Sequence, residues 1–329
     1  MTRPSHATPG PAQAGPVVSA LTDYGHGIGA IDTAHIRPLL DASHLIVESG
    51  RGAFVDVGTS HALPHLLAAL AARGLAPADV DWVFLTHIHL DHAGGTGALL
   101  ERLPNARVVV HPRGVQHLVA PARLEAATRE VYGAEEYARL FGPLVPVPAS
   151  RIVSATDGFI AELAGRRFEF LHTPGHALHH CAILDHATGG VFTGDTFGVS
   201  YREFDVGGRA FVFPATTPTQ FDPDQLHGSV ERIAALGPPA VYLTHYGRVG
   251  EVGRLAQDLH GDIDAYVAIA RRHGRADEPG MRGALFDYLS GRLDAHGYGG
   301  DAPRRHALLD LDIGINVAGL AAWCARAAG

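Results

Sequence analysis

A dense cluster of histidine and aspartate directly follows an apolar segment in the first third of the chain. The segment VDWVFLTH (80–87) combines β-branched and aromatic residues in a short apolar run, which is typical of a buried strand. The motif THIHLDHAGG (86–95) begins where this strand ends and carries four potential metal ligands, His87, His89, Asp91 and His92. A helix would scatter these side chains, whereas on a loop the first two imidazoles can face one metal ion while the adjacent Asp91 and His92 turn toward a second. The sequence therefore predicts a metal site on a loop at the end of a buried strand.

Three further potential ligands follow other predicted strands. They are His176 in HTPGH, Asp195 in TGD and His245 in LTH. With the first motif they make five imidazoles and two carboxylates. A single tetrahedral catalytic ion needs only about three protein ligands and a water molecule, so this set favours two ions.

Short β-rich segments alternate with helical segments up to about residue 250, which predicts an α/β fold. The predicted strands are 44–49, 52–58, 80–87, 106–112, 166–176, 179–186, 189–195 and 240–245, and the predicted helices are about 64–73, 95–102 and 222–236. We expect a flexible tail at 1–16, a catalytic domain at 17–250 with a helical insertion at about 113–148, and a helical appendage at 251–329.

Composition limits the partners of this chain. Its 329 residues carry a formal charge of −8, and all 26 basic residues are arginine, so a nucleic-acid partner is disfavoured. The N-terminus lacks a secretory signal, and no later apolar run reaches the roughly 18 residues of a membrane span. The two cysteines, Cys181 and Cys324, are interpreted as ordinary thiols. We expect a cytoplasmic protein with a small-molecule substrate and no membrane partner, and a homodimer is compatible with the sequence.

The order of these motifs resembles that of the metallo-β-lactamase superfamily over about residues 40–250. The resemblance implies a four-layer αβ/βα sandwich with two divalent transition-metal ions, zinc first, with iron or manganese as alternatives. It implies that one ion is held by His87, His89 and His176. It implies that the other is held by Asp91, His92 and His245, with Asp195 bridging the two. The motifs THIHLDHAGG, HTPGHALHH and TGDT are similar to those of a glyoxalase-II-like branch of largely uncharacterised hydrolases.

Two departures narrow the activity that this resemblance implies. Asp195 stands where the best-known β-lactam-hydrolysing members have cysteine, which disfavours β-lactam hydrolysis. His89 stands where flavodiiron members have an acidic residue, which disfavours oxygen reduction. Two alternatives to a hydrolase stay open: a mononuclear iron sulfur-dioxygenase, and a metal-containing ligand-binding or regulatory protein with little turnover.

Several residues beside the ligands are predicted to support the site. Asp56 resembles the carboxylate that orients a ligand imidazole, although a turn-forming role before Gly58 is an alternative. His180 either lines the site or is structural. Tyr201 and Arg202 follow Asp195 on a loop where they can contact substrate, the tyrosine as a catalytic hydrogen-bond donor and the arginine by binding a carboxylate. Strand propensity alone accounts for three threonines near ligands, Thr86, Thr193 and Thr244.

This ligand set predicts hydrolysis of an ester, thioester or lactone. Two bridged cations lower the pKa of a shared water and polarise a carbonyl group, so a bridging hydroxide can attack at neutral pH. Asp91 is expected to act both as a ligand and as the proton acceptor from the attacking water.

Overall fold

The computed structural model of the protein describes residues 21–216 and 220–327. The predicted flexible tail at 1–16 lies outside the described residues. In the described part, the chain forms two β-sheets, and helices follow the last strand from Val252 onward.

The first sheet has seven strands in the order of the sequence. Neighbouring strands are antiparallel from the first to the fourth strand and parallel from the fourth to the seventh. The strands are β1 (Leu21–Gly25), β2 (Ile28–Asp32), β3 (Ala42–Glu48), β4 (Arg51–Val55), β5 (Val80–Phe84), β6 (Arg107–Val110) and β7 (Ile152–Ser154).

The second sheet has six strands in the order β13-β12-β11-β10-β9-β8. Only β11 and β12 pair in parallel, and the other neighbours are antiparallel. The strands are β8 (Phe159–Leu163), β9 (Arg166–His172), β10 (Cys181–Asp185), β11 (Val191–Gly194), β12 (Val241–Leu243) and β13 (Gly247–Val249).

Helices cover both sheets. They are α1 (Leu63–Ala72), α2 (Leu90–Ala93), α3 (Thr96–Leu100), α4 (Val115–Val119), α5 (Ala122–Tyr132), α6 (Ala134–Leu140), α7 (Pro223–Ala235), α8 (Val252–His273), α9 (Glu278–His296) and α10 (Ala302–Ala327). The region predicted as a helical insertion, about 113–148, contains α4, α5 and α6.

The alternation of side chains along each strand explains the layered packing. On the first sheet, Phe84 faces the other sheet and packs with Phe168 and Phe170, while its neighbour Val83 packs under the outer helix α1. On the second sheet, residues such as Val241 pack outward against α7 and α8. The predicted four-layer αβ/βα sandwich is therefore confirmed.

The C-terminal helices pack on the loop that follows β11. Their buried residues, among them Met281, Leu285 and Ile313, join Tyr201 and Phe213 of that loop in one apolar cluster. The last helix, α10, reaches the length and mean hydropathy of a membrane span, and 44% of its most apolar window is buried in the protein. The sequence analysis did not recognise this because aspartates at 310 and 312 interrupt the apolar run.

The metal-ligand motif folds differently from the loop and the single helix that we predicted. Asp91 and His92 lie on the short helix α2, and His89 is the residue directly before it. Gly94 and Gly95 lie between α2 and α3. Position 95 requires glycine because a Cβ atom there would lie 2.6 Å from the carbonyl oxygen of Thr59. This close approach leaves no room for a side chain, and a hydrogen bond of 2.8 Å from Gly95 N to Gly58 O joins the motif to the segment after β4.

Candidate metal centre

Four of the seven predicted ligands form a first donor group at the edge of the sandwich. His87, His89, His176 and Asp195 each offer one ligand atom, and these atoms all lie within 4.8 Å of one another. His89 Nδ1 lies 2.8 Å from His87 Nε2 and 3.2 Å from His176 Nε2. Such convergence of imidazole nitrogens suits a single transition-metal ion.

The remaining three predicted ligands form a second donor group. The ligand atoms of Asp91, His92 and His245 also lie within 4.8 Å of one another. Asp91 Oδ2 is 3.7 Å from His92 Nε2 and 3.5 Å from His245 Nε2. The fold therefore brings α2 and the end of β12 together around this group.

Asp195, which directly follows β11, lies between the two groups. Its Oδ2 atom is 3.2 Å from His176 Nε2 in the first group. Its Oδ1 atom is 3.2 Å from His92 Nε2 and 3.6 Å from His245 Nε2 in the second group. Each carboxylate oxygen thus faces one group, which is the geometry of a carboxylate that can bridge two cations.

The surroundings of the two groups favour different protonation states. Burial, together with the neighbouring imidazoles, lowers the pKa of His87 and His89 well below the ordinary value. Burial also opposes the charged form of His92 and His245, but nearby carboxylates outweigh it. Asp195 and Asp91 raise the pKa of His92 well above its ordinary value and that of His245 to about 10. Because metal ligation needs a neutral imidazole, binding at the second group would release protons.

The donor chemistry fits divalent metal ions. His92 Nε2 and Asp195 Oδ1 are fully buried, and their only close polar contacts among the described residues are within the centre itself, 3.2 Å from each other. Because buried polar atoms need partners, a cation in the second group would satisfy both atoms. The mixed nitrogen and oxygen set is compatible with zinc, iron or manganese.

Asp56 holds the second group in place. It follows β4, and its Oδ2 accepts a hydrogen bond from His92 Nδ1 at 2.8 Å. The hydroxyls of Thr86 and Thr244 also donate to this carboxylate, at 2.8 Å and 2.9 Å. The sequence analysis assigned both threonines to strand propensity alone and so missed this contact. Their signal was position, since each directly precedes a ligand histidine.

Backbone carbonyl groups orient two other ligand histidines. His176 Nδ1 donates to Ala215 O and His245 Nδ1 donates to Leu40 O, each at 3.0 Å. In both cases Nε2 is left as the ligand atom.

A residue of the C-terminal helix α10 fixes the segment that holds His176. The buried Asn316 accepts a hydrogen bond from Thr216 N at 2.7 Å and donates to Pro214 O at 3.1 Å. These hydrogen bonds fix the backbone on both sides of Ala215. Sequence reasoning missed Asn316 because it lies 100 residues from Thr216 in the chain.

His180 supports Asp195 through the backbone. Its Nε2 accepts a hydrogen bond from Asp195 N at 3.2 Å, and its Nδ1 lies 2.9 Å from Thr173 Oγ1. The imidazole is fully buried. It therefore positions the candidate bridging residue and does not belong to either donor group.

The two predicted substrate residues occupy different surroundings. The Tyr201 hydroxyl is buried and donates to Asp312 of α10, 3.0 Å from Oδ2, while the Arg37 guanidinium lies over its ring at 4.3 Å. Arg202 lines an open cavity and also donates to Ser200 O at 2.7 Å. The structure thus gives the Tyr201 hydroxyl a partner inside the protein, whereas Arg202 borders open space.

Comparisons with known proteins agree with this geometry. The model of the metallo-beta-lactamase superfamily matches residues 37–245. A hydroxyacylglutathione hydrolase from Aeromonas hydrophila is 31% identical over 58% of this chain and 55% of its own length. One from Xanthomonas euvesicatoria is 30% identical over 70% of this chain and 69% of its own length. The chain thus spans little more than half of the Aeromonas relative.

A solved structure also shares the fold. It is that of an archaeal metallo-beta-lactamase superfamily protein from Sulfolobus tokodaii, with a TM-score of 0.61 and 21% identity. The similarity covers 90% of this chain and 98% of that one. The shared part therefore extends into the C-terminal helices.

Proposed function

This chain belongs to the metallo-beta-lactamase superfamily, and we propose that it is a binuclear metal-dependent hydrolase of a small-molecule thioester, with esters and lactones as related substrates. The placement of Asp195 carries this proposal. A carboxylate with one oxygen toward each donor group, 3.2 Å from His176 Nε2 and 3.2 Å from His92 Nε2, is suited to holding two ions side by side. A mononuclear site has no need of the second group.

The chemistry divides between the ions and the residues of the chain. When bound, two cations lower the pKa of a shared water so that hydroxide is available near neutral pH, and they polarise a carbonyl oxygen. Asp91 orients the attacking water and takes its proton. Its side chain is 30% exposed, whereas that of His92 beside it is fully buried. Without metal, the charges of His92 and His245 hold the pKa of Asp91 low against the opposing effect of burial. When these histidines become neutral ligands, the bound cations would keep the carboxylate ionised in their place.

The relatives support thioesters as the first substrates to test. Two are named hydroxyacylglutathione hydrolase, a name that denotes cleavage of an acyl thioester of glutathione. The metal donors alone do not choose among thioesters, esters and lactones. That choice falls to the residues around the centre.

An open cavity borders the segment that orients His245, and arginines outnumber acids in its lining. It has a volume of about 510 Å³, and its charged lining residues are Arg37, Arg202, Arg304 and Glu203. Arg37 pairs with Glu203 at 2.7 Å and Arg202 with Asp205 at 3.3 Å. Leu39 lines the same cavity and directly precedes Leu40, whose carbonyl group holds His245. Guanidinium groups bind carboxylates through paired hydrogen bonds, so we infer that the leaving thiol or the acyl group carries a carboxylate.

The test combines metal analysis with a substrate panel. Protein purified without chelator and then desalted should retain two tightly held transition-metal equivalents. It should hydrolyse acyl thioesters faster than aryl esters, lactones or phosphodiesters, and carboxylate-bearing thioesters faster than neutral ones. Chelation should abolish turnover, and added metal should restore it.

Other outcomes separate the competing functions. A fully active protein with one reproducible equivalent of iron, consuming oxygen with a persulfide substrate, would replace the hydrolase with a sulfur-dioxygenase. Two equivalents without turnover on any member of the panel would support a metal-containing binding or regulatory protein.

A further inference from the structure

A second pair of closely approaching imidazoles lies outside the metal centre, between α7 and α8. Nδ1 of His227 on α7 lies 2.7 Å from Nδ1 of His260 on α8. Their rings are nearly parallel, with an interplanar angle of 13° and centroids 5.0 Å apart. The side chains are 28% and 30% exposed, so ions in solution can reach them.

A carboxylate stands behind each imidazole. Asp264 Oδ1 lies 3.2 Å from His227 Nε2, and Glu231 Oε2 lies 3.7 Å from His260 Nε2. Each acidic residue is four positions after the histidine of its own helix, on the same helical face, but approaches the histidine of the other helix. The resulting order is carboxylate, imidazole, imidazole, carboxylate.

This order is what a pair of metal-ligating histidines requires. A ligating imidazole usually donates its other ring N–H to a carboxylate or carbonyl, which fixes the tautomer and orients the ring. Here Asp264 lies within hydrogen-bond distance of His227 Nε2, and Glu231 lies 3.7 Å from His260 Nε2. With the protons on the two Nε2 atoms, the lone pairs of both Nδ1 atoms point toward the same place. Without metal, a proton on one Nδ1 makes the 2.7 Å contact a hydrogen bond between the two imidazoles. A divalent cation would replace that proton and bind both nitrogens.

The approach of the nitrogens also matches that inside the candidate metal centre. There, His89 Nδ1 lies 2.8 Å from one ligand nitrogen and 3.2 Å from another. With metal–nitrogen bonds of about 2.0–2.1 Å, two ligands of one ion stand roughly 3 Å apart. The His227–His260 pair needs to open by only a few tenths of an ångström.

We propose that His227 and His260 form a divalent transition-metal site that joins α7 to α8. The two Nδ1 atoms are the protein ligands, and water completes the coordination. Asp264 accepts a hydrogen bond from His227 Nε2–H, and the charge of Glu231 lies close to His260 Nε2. Imidazole ligands with water suit Ni²⁺, Cu²⁺ and Zn²⁺. With two protein ligands and partial exposure, the site binds more weakly than the buried centre. It stands independently of the proposed function, since none of its residues belongs to the two donor groups of the centre.

A bound ion at this place would fasten the C-terminal helices to the sandwich. Helix α7 covers the second sheet, and α8 is the first of the three long C-terminal helices. Since a ligand that binds only the folded state stabilises it, the melting temperature should rise with the metal concentration.

The experiment uses untagged protein that retains its tightly bound metal and is titrated with Ni²⁺ in a calorimeter. We expect one further equivalent above the resident metal, together with a rise in melting temperature. His227→Ala and His260→Ala should each weaken this step at least tenfold and remove the rise, with the resident metal content unchanged. His227→Gln, which keeps a polar side chain, should behave as His227→Ala does.

His273→Ala is the matched control because His273 lies on the same helix, with its Nδ1 2.7 Å from a carboxylate of Asp277 and not from an imidazole. It should leave the titration unchanged. The proposal is overturned if the wild type takes up no additional nickel, or if the His227 and His260 variants titrate like the wild type. If the purified wild type holds no resident metal but takes up a nickel ion that the His227 and His260 variants do not bind, the result counts against the proposed function and not against this site.

Discussion

The loops at the edge of the sandwich and the C-terminal helices contribute to the metal centre in different ways. Every one of the seven candidate ligands lies on the first or second sheet's loops or on α2, close to a strand end. The C-terminal helices supply no ligand to these groups. Instead, Asn316 and Asp312 of α10 form hydrogen bonds with the loop after β11. On this loop, the carbonyl group of Ala215 accepts the hydrogen bond of His176. The metal donors thus lie in short sequence motifs, whereas residues that hold the loop around Ala215 in place lie far from those motifs in the sequence, on α10.

The largest effect should follow from changing the donor between the two groups. Asp195→Asn keeps the shape of the side chain but removes the negative charge that faces both groups. One metal should then be lost more readily than both, and turnover should fall about tenfold or more. Replacing even a residue that only contacts a metal ligand typically lowers metal affinity or activity about 10–100-fold. Metal content and turnover on the best substrate measure this.

Folding should be less affected by this change than turnover. The backbone N–H of Asp195 is held by His180, and that hydrogen bond does not involve the substituted side chain. A variant that keeps both metals and full activity would remove the bridging assignment. A variant with a lowered melting temperature but normal metal content would make Asp195 a structural residue.

A smaller effect on the same centre should come from α10. Asn316→Ala removes the contacts with Thr216 N and Pro214 O, so the carbonyl group of Ala215 no longer has a fixed position for His176. We expect the affinity of the first donor group for its ion to fall roughly three- to tenfold. This is less than the loss of a residue that hydrogen-bonds directly to a metal ligand, because Asn316 acts on His176 only through Ala215. Titration of metal-depleted protein with Co²⁺, followed by its visible absorption, measures the loss.

The control for Asn316→Ala is a variant that weakens the same helix by packing alone. Leu309→Ala removes a buried side chain of α10 and should cost about 2–5 kcal/mol of stability. It should leave the Co²⁺ affinity unchanged. Equal losses of affinity in the two variants would mean that α10 acts only through general stability, and the contrast between the two regions would disappear.

The smallest effect should appear in stability alone. Burial raises the pKa of Asp312 from 3.8 to about 6, despite the opposing hydrogen bond from Tyr201 and the charge of His245. The folded state therefore favours the protonated form, so its contribution to stability is full below pH of about 4 and is lost as the pH rises to about 6. Asp312→Asn keeps an acceptor for Tyr201 and should be more stable above that range by at most about 3 kcal/mol.

Melting curves of metal-depleted protein between pH 4 and 8 test this, with Asp310→Asn as the control. Asp310 lies on the same helix with a side chain that is 48% exposed. The difference between Asp312→Asn and the wild type should grow from about pH 4 to about pH 6 and then stay constant. A difference that does not vary with pH would contradict the shifted pKa.

Comparison of particular elements shows which parts of the fold the sequence could predict. The predicted helices at about 64–73 and 222–236 correspond to Leu63–Ala72 and Pro223–Ala235. Strands β1, β2, β7, β8 and β13 were not predicted. They are short, and several carry polar or small residues, so they depend on pairing with neighbours more than on a local pattern.

The candidate site shows the same division. For Asp56 the sequence left two interpretations, a turn former and a support for a ligand, and the structure shows the contact that the second requires. Its φ is 49°, which Asp tolerates in turns, and its carboxylate holds His92. Thr86 and Thr244 were missed because a threonine at a strand end is equally expected from strand propensity, and only the fold shows that both hydroxyls reach Asp56.

The sequence by itself determined the superfamily resemblance, the seven candidate donors and the strands that most of them follow. These features are local, since a buried strand and the polar residues after it lie within about ten positions of each other. Only the tertiary structure decided which oxygen of Asp195 faces which donor group, that Asn316 holds the segment around Ala215, and that His227 meets His260. Those contacts join residues that are between 19 positions apart, as for His176 and Asp195, and 103 positions apart, as for His92 and Asp195. Their geometry depends on how whole layers pack.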